Sequence, residues 1–226
     1  MDTSTRITSF QNDLLDAVLP VKSPVGAAAG LDFVAAAARL KKVVTRTPLM
    51  YSHNLSRQYG AHVFLKREDL QVVRSYKLRG AYNMMSTLPA GKLQKGVVCA
   101  SAGNHAQGFA HSCKKLGLKG VVFMPVITPN QKISQTAMFG EEWIEIKLVG
   151  DTFDDCALAA KEFTEANGMT FIPPFDDLKI IEGQGTVGLE ILEDQPEVDY
   201  IFIPVGGGGL SAGVAPISRL FHHKQR

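Results

Sequence analysis

Between residues 96 and 172, short apolar runs alternate with helix-length segments. No other feature constrains the fold as much. Gly96-Val97-Val98-Cys99-Ala100 and Gly120-Val121-Val122-Phe123-Met124 contain no polar side chain. A strand with one wet face alternates polar and apolar residues. Strands without that alternation are covered on both faces, as in parallel sheets under helices. Asn104 to Leu116 reads as a helix stopped by Gly117. Pro129 sits at the first turn of a helix running to about Phe139, with Gly140 as its stop. Trp143 to Val149 alternates like a strand. Asp151 or Thr152 caps a helix from Phe153 to Asn167, which Gly168 ends. Met169 to Ile172 is a short strand before Pro173-Pro174. The expected class is α/β, with mainly parallel twisted sheets and helices on both faces.

The cadence continues outward less regularly. Residues 1–30, punctuated by Pro20, Pro24, Gly26 and Gly30, read as an N-terminal arm. Leu31 to Val44 has helical spacing, and a second helix starts at Ser52 or Asn54 within Leu49 to Tyr59. His62 to Lys66 reads as a strand and Ser75 to Leu88 as a helix. Lys179 to Asp194 is helical, Tyr200 to Ile203 is an apolar strand, and Leu210 to Phe221 is a last helix that Pro216 kinks. A chain of 226 residues holds one large domain or two small ones sharing a cleft. The expected division is a small unit over 97–170 and a larger, discontinuous one over 31–96 and 171–226.

Composition removes several function classes. The formal net charge is +2, and no basic cluster carries interleaved aromatics, so nucleic acid is not an expected partner. Met1 to Leu19 lacks the apolar core of a secretory signal. No stretch approaches the ~20 apolar residues of a membrane span, so a soluble, cytoplasmic protein is expected. Cys99, Cys113 and Cys156 are far apart in apolar surroundings, which suits buried free thiols in a reducing compartment. No Cys/His spacing fits a metal site.

Three stretches carry chemistry. In Ser75-Tyr76-Lys77-Leu78-Arg79-Gly80-Ala81, Lys77 taken alone is a solvated charge. The functional reading is an amine with a lowered pKa that forms a Schiff base with a carbonyl cofactor. Ser101-Ala102-Gly103-Asn104-His105 joins a strand to a helix through small residues, so its main-chain N–H groups suit an anion such as a carboxylate. The bland alternative is an ordinary N-cap by Ser101 or Asn104. Gly206-Gly207-Gly208-Gly209-Leu210 lies between an apolar strand and a helix, where a connector would not be expected. Without Cβ atoms its backbone can approach a phosphate at the helix start. It lacks the P-loop ending, and Gly207, Gly209 and Ala212 match the dinucleotide pattern only weakly. That match leaves a nucleotide-dependent oxidoreductase as a third reading. A cofactor with both phosphate and aldehyde fits the three stretches, as pyridoxal phosphate does. The residues alone do not single it out.

In this order, and with Leu65-Lys66-Arg67-Glu68-Asp69, Phe175-Asp176-Asp177 and Glu182-Gly183-Gln184-Gly185-Thr186, the stretches resemble the threonine dehydratase (threonine ammonia-lyase) branch of the β-family, fold type II, pyridoxal phosphate enzymes. The resemblance runs from about residue 30 to the end. It implies a two-subdomain, tryptophan synthase β-like architecture. It implies that Lys77 holds the cofactor and later removes the substrate's Cα proton. Asn104 would bind the ring hydroxyl, and Ser101, Ala102, Gly103, Asn104 and His105 the substrate carboxylate. Gly206, Gly207, Gly208, Gly209 and Leu210 would bind the phosphate. The implied reaction turns L-threonine into 2-oxobutanoate and ammonia, a step toward isoleucine. The alternatives are serine dehydration or racemisation on the same scaffold, or an inactive truncated paralogue acting as a binding partner. A homo-oligomer is implied for the full-length protein. Family members continue beyond the glycine turn, so the large domain is expected to be incomplete here. The chain of residues 1–226 alone is then expected to bind cofactor poorly and to show little activity.

Overall fold

A computed structural model describes residues 30–222. The expected N-terminal arm, up to residue 29, lies outside the described residues. In chain order the elements are α1 (Phe33–Leu40), β1 (Leu49–Tyr51), α2 (His53–Tyr59), β2 (Phe64–Lys66), α3 (Lys77–Thr87), α4 (Ala90–Leu93), β3 (Val97–Ala100) and α5 (Asn104–Leu116). They continue with β4 (Gly120–Met124), α6 (Asn130–Gly140), β5 (Ile144–Leu148), α7 (Phe153–Asn167), β6 (Thr170–Phe171), α8 (Leu178–Asp194) and α9 (Gly209–His222). Among these residues no helix is long and apolar enough to cross a membrane.

Four strands form a parallel sheet in the order β5-β4-β3-β6. Val97 pairs with Gly120 on one side and Thr170 on the other, and Gly120 pairs with Ile144. Every residue of β3 and β4 is buried, as their unbroken apolar runs require. Alternate side chains go to opposite faces. Val97, Cys99, Val122 and Met124 pack with Phe109 and Cys113 of α5. Val98, Ala100, Val121 and Phe123 pack with Cys156 and Ala160 of α7. The helix stops fall where the glycines stand: α5 ends at Gly117 and α7 at Gly168, both left-handed. Thr152, the alternative to Asp151, caps α7 in a reciprocal pair with Asp155. All three cysteines are buried and free.

Helices α3, α8 and α9 pack side by side at backbone distance. A methyl on Gly183 of α8 would lie 2.5 Å from the Arg79 carbonyl oxygen of α3. A methyl on Gly213 of α9 would lie 2.5 Å from the Ile181 oxygen and 2.6 Å from the Gly185 nitrogen of α8. Glycine is the residue that permits such approach.

Beside this seam is a buried charge cluster. The Arg79 side chain is fully buried, and its five N–H donors are all engaged. Nε and Nη2 donate to Glu68 at 2.9 and 2.8 Å. Nη1 and Nη2 donate to Glu190 at 2.6 and 3.0 Å, and Nη1 also to Thr186 Oγ1 at 3.0 Å. Lys66 joins through Glu190 at 2.6 Å.

Two expectations change. Leu49–Tyr51 is a strand, paired antiparallel with Phe64–Lys66. Three residues show no period, so only the pairing reveals it. Tyr200 to Ile203, expected as a strand, forms none and has no strand partner among the described residues. Ile201 and Ile203 pack toward α8 and α9, whereas Phe202 is 79 % exposed. The apolar composition is real, but a strand exists only where a neighbour completes its hydrogen bonds.

Candidate active site

Lys77 is the first residue of α3, and its amine is half-buried. Nζ donates to the carbonyl oxygen of Pro174 at 2.7 Å. It lies 5.6 Å from the Tyr76 ring centre and 5.9 Å from that of Phe175. Desolvation pushes the amine's pKa below the ordinary lysine value, because burial disfavours the charged form.

Phe175 also meets the glycine turn. A methyl on Gly207 would collide with the Phe175 ring, and one on Gly209 would lie 2.9 Å from the Phe175 carbonyl oxygen. Above Gly206 and Gly208 the space is open, with no atom within 4 Å of an added methyl. The turn runs directly into α9, and Gly208 takes a positive φ of 82°. Pro174-Phe175 is therefore the hinge of the site, with the amine on one side and the glycine turn on the other. Leu210 is buried against Val187, Ile191 and Val214, which anchors the turn to α8.

The third stretch leaves the carboxyl end of β3. Ser101 N–H donates to the Phe123 carbonyl at 3.0 Å, still in sheet register. Gly103 N–H donates to Ser101 Oγ at 3.3 Å. Helix α5 then starts at Asn104, which is exposed. Its first-turn N–H groups point out of the helix, as at any helix start. Gly108, one turn further on, sits against the α3 backbone. A methyl there would lie 2.9 Å from the Leu78 nitrogen and 3.0 Å from the Lys77 carbonyl carbon. Residues 104 and 108 share a helix face, so Asn104 is on the side of α5 that meets the amine's helix.

His105 differs from its neighbours. It is buried, with Nε2 3.0 Å from the Ile172 carbonyl oxygen, which accepts from it. Desolvation pulls its pKa down to about 4; the Ile172 bond opposes this and the Lys77 charge adds to it. The ring is neutral and already bonded, so His105 can offer an anion only its main-chain N–H. A depressed pKa means the unfolded chain takes up the proton first. Stability is thus fully present above about pH 6.5 and falls as pH drops toward 4, by about 1.4 kcal/mol per pH unit between the two pKa values. Urea unfolding at pH 7 and pH 5 is expected to show this loss, and a His105→Gln variant is expected to lose less.

Sequence reasoning singled out the amine and both turns. It did not foresee Pro174 as the amine's acceptor, or Phe175 as the contact joining lysine to glycines. The signal available was Pro173-Pro174-Phe175 after a short strand, a rigid bend that directs a carbonyl to a fixed place. It also passed over Ser75, whose buried hydroxyl has no hydrogen-bond partner among the described residues.

These residues suit a group bearing an aldehyde and a phosphate. The amine has a lowered pKa, the glycine turn has open space above it, and a buried hydroxyl waits unpaired beside the lysine. Comparison with known proteins agrees. The chain is 55% identical over 176 residues to the biosynthetic L-threonine dehydratase IlvA of Bacillus subtilis, covering 77% of this chain and 42% of that protein. It is 53% identical over 184 residues to the Halalkalibacterium halodurans protein of the same name, covering 81% and 44%. The processed form of threonine deaminase isoform 2 from Solanum lycopersicum superposes with a TM-score of 0.79 at 44% identity, over 83% of this chain and 51% of that one. Maize serine racemase superposes with a TM-score of 0.80 at 34% identity, over 86% and 58%. The chain spans between 42% and 58% of the length of these proteins. Residues 40–221 match the family described as "Pyridoxal-phosphate dependent enzyme". With the fold type II α/β architecture and an amine set against a glycine turn, the chain belongs to the pyridoxal-phosphate dependent enzyme family.

Proposed function

We propose that the protein carrying this chain deaminates L-threonine to 2-oxobutanoate and ammonia, a step toward isoleucine. The observation that carries the reading is the meeting of the Lys77 amine and the Gly206–Gly209 turn at Pro174-Phe175. The names of the bacterial and plant relatives support the choice of threonine. When bound, pyridoxal phosphate supplies an electron sink for the charge that develops at the substrate's Cα.

The chain's own residues divide the remaining work. Lys77 Nζ would hold the cofactor and would take the substrate's Cα proton. A base must be neutral to accept a proton, and burial raises the neutral fraction of this amine near pH 7. Main-chain N–H groups of Gly206 to Leu210 hold the phosphate. The Asn104 amide takes the ring hydroxyl. The turn from Ser101 to His105 grips the substrate carboxylate, with the His105 ring excluded. Residues 97–170 form the smaller unit of the cleft, and 31–96 with 171–226 the larger. The reading carries with it a cytoplasmic setting and a homo-oligomeric full-length protein.

Serine chemistry is the second reading, favoured by the superposition on maize serine racemase. One methyl group in a pocket is worth only ~1–3 kcal/mol, so overlap between the two hydroxy amino acids is expected. The full-length protein should be assayed with L-threonine and L-serine, following 2-oxo acid release and the chirality of the remaining serine. Threonine is expected to be turned over about tenfold or more faster in kcat/KM. D-serine as the main product would move the assignment to racemisation, and no turnover of either substrate would overturn it.

A further inference from the structure

We propose that the Ser75 hydroxyl is a binding group of the site and donates a hydrogen bond to an anionic oxygen of the molecule held at Lys77. The inference rests on the reading of the site given above. Ser75 is 6 % exposed, yet Oγ has no hydrogen-bond partner among the described residues. Native chains keep few such groups, and one beside a binding lysine points to a missing ligand atom.

The turn that carries Ser75 is not a loose end. Gln71 Nε2 donates to the Thr45 carbonyl at 2.7 Å, and Thr45 N–H donates back to Gln71 Oε1 at 3.0 Å. Arg74 N–H donates to the Gln71 carbonyl at 2.8 Å. Arg74 itself adopts a left-handed φ of 57°, a conformation that costs free energy for a residue with a Cβ. A pinned and strained turn thus carries a hydroxyl inward to no partner. Two residues on comes the Lys77 amine, on the first residue of α3. Beside an amine donor, an acceptor with negative charge suits the hydroxyl as its absent partner. The ligand has two: the cofactor phosphate and the substrate carboxylate.

The test uses the full-length protein with Ser75→Ala and Ser75→Thr beside wild type. Pyridoxal phosphate is titrated into each apoprotein and followed by its visible absorbance. L-2-aminobutanoate, which keeps the carboxylate but lacks the leaving hydroxyl, is then titrated into each holoprotein. If the phosphate is the partner, Ser75→Ala weakens cofactor binding about tenfold. If the carboxylate is the partner, cofactor binding holds and the aminobutanoate Kd rises about tenfold. In either case Ser75→Thr restores most of the loss, and the Ser75→Ala apoprotein melts no lower than wild type, since the hydroxyl has no protein partner to lose. Two unchanged affinities, or a destabilised Ser75→Ala apoprotein, would overturn the assignment. Wild type lacking any cofactor band would instead overturn the reading of the site itself.

Discussion

Lys77→Ala in the full-length protein is expected to abolish covalent capture of pyridoxal phosphate and to lower turnover by at least about 10³-fold. The size follows from the two tasks given to one atom. Nζ is the only amine in the three motifs that can form an imine with an aldehyde, and the proposed function makes the same atom the base at Cα. Losing either task alone would cost orders of magnitude. Lys77→Arg is expected to be no better, because a guanidinium stays charged near pH 7 and serves neither role. Borohydride reduction followed by mass measurement reads the first task, and 2-oxobutanoate release reads the second. The thermal midpoint of the apoprotein should move little, since Lys77 makes one side-chain hydrogen bond, to Pro174. Retained capture in Lys77→Ala would show that another amine holds the cofactor and would remove the central contact of the site.

The second large effect is on stability. Arg79→Met is expected to cost about 3–5 kcal/mol, read as a shift in the denaturant midpoint. Removing the guanidinium leaves Glu68 and Glu190 facing each other across the cluster, with Lys66 alone among the described residues to compensate. Uncompensated buried charge is the expensive part, more than the lost hydrogen bonds. Arg79→Lys should recover only part of the loss. An ammonium has three donors and no planar fork, and here five N–H groups serve two carboxylates and a threonine. A midpoint unchanged in Arg79→Met would show that the cluster contributes little to stability.

The fold was legible where one rule decided each element. Val97 to Ala100 and Gly120 to Met124 are apolar throughout because helices cover both faces, and the structure finds them fully buried. Gly117 and Gly168 announce helix ends because a left-handed residue is needed there. Elements that depend on distant partners were not legible. Leu49–Tyr51 is a strand only because Phe64–Lys66 lies alongside. Tyr200 to Ile203 has a strand's composition, yet no described neighbour accepts its hydrogen bonds.

The site divides in the same way. A lysine before a helix and small residues after strands are local signals. The contact that unites them runs through Pro174 and Phe175, 97 and 98 residues from Lys77. Nothing local to Pro174 marks its carbonyl as the acceptor of an amine. Ser75 was hidden for the opposite reason: a serine before a helix is ordinary until its hydroxyl is found buried and alone.

The seam of α3, α8 and α9 has a consequence for what the pocket can accept. Gly183 meets α3 and Gly185 meets α9, and two residues apart on a helix means nearly opposite sides. The helix that begins with the amine and the helix that follows the glycine turn thus press on one shared rod, backbone to backbone at these glycines. Their separation is set by the thickness of that rod. Drift in the surrounding core can move neighbouring side chains, but the distance from the amine's helix to the glycine turn's helix is held as a gauge length for whatever molecule is to bridge them.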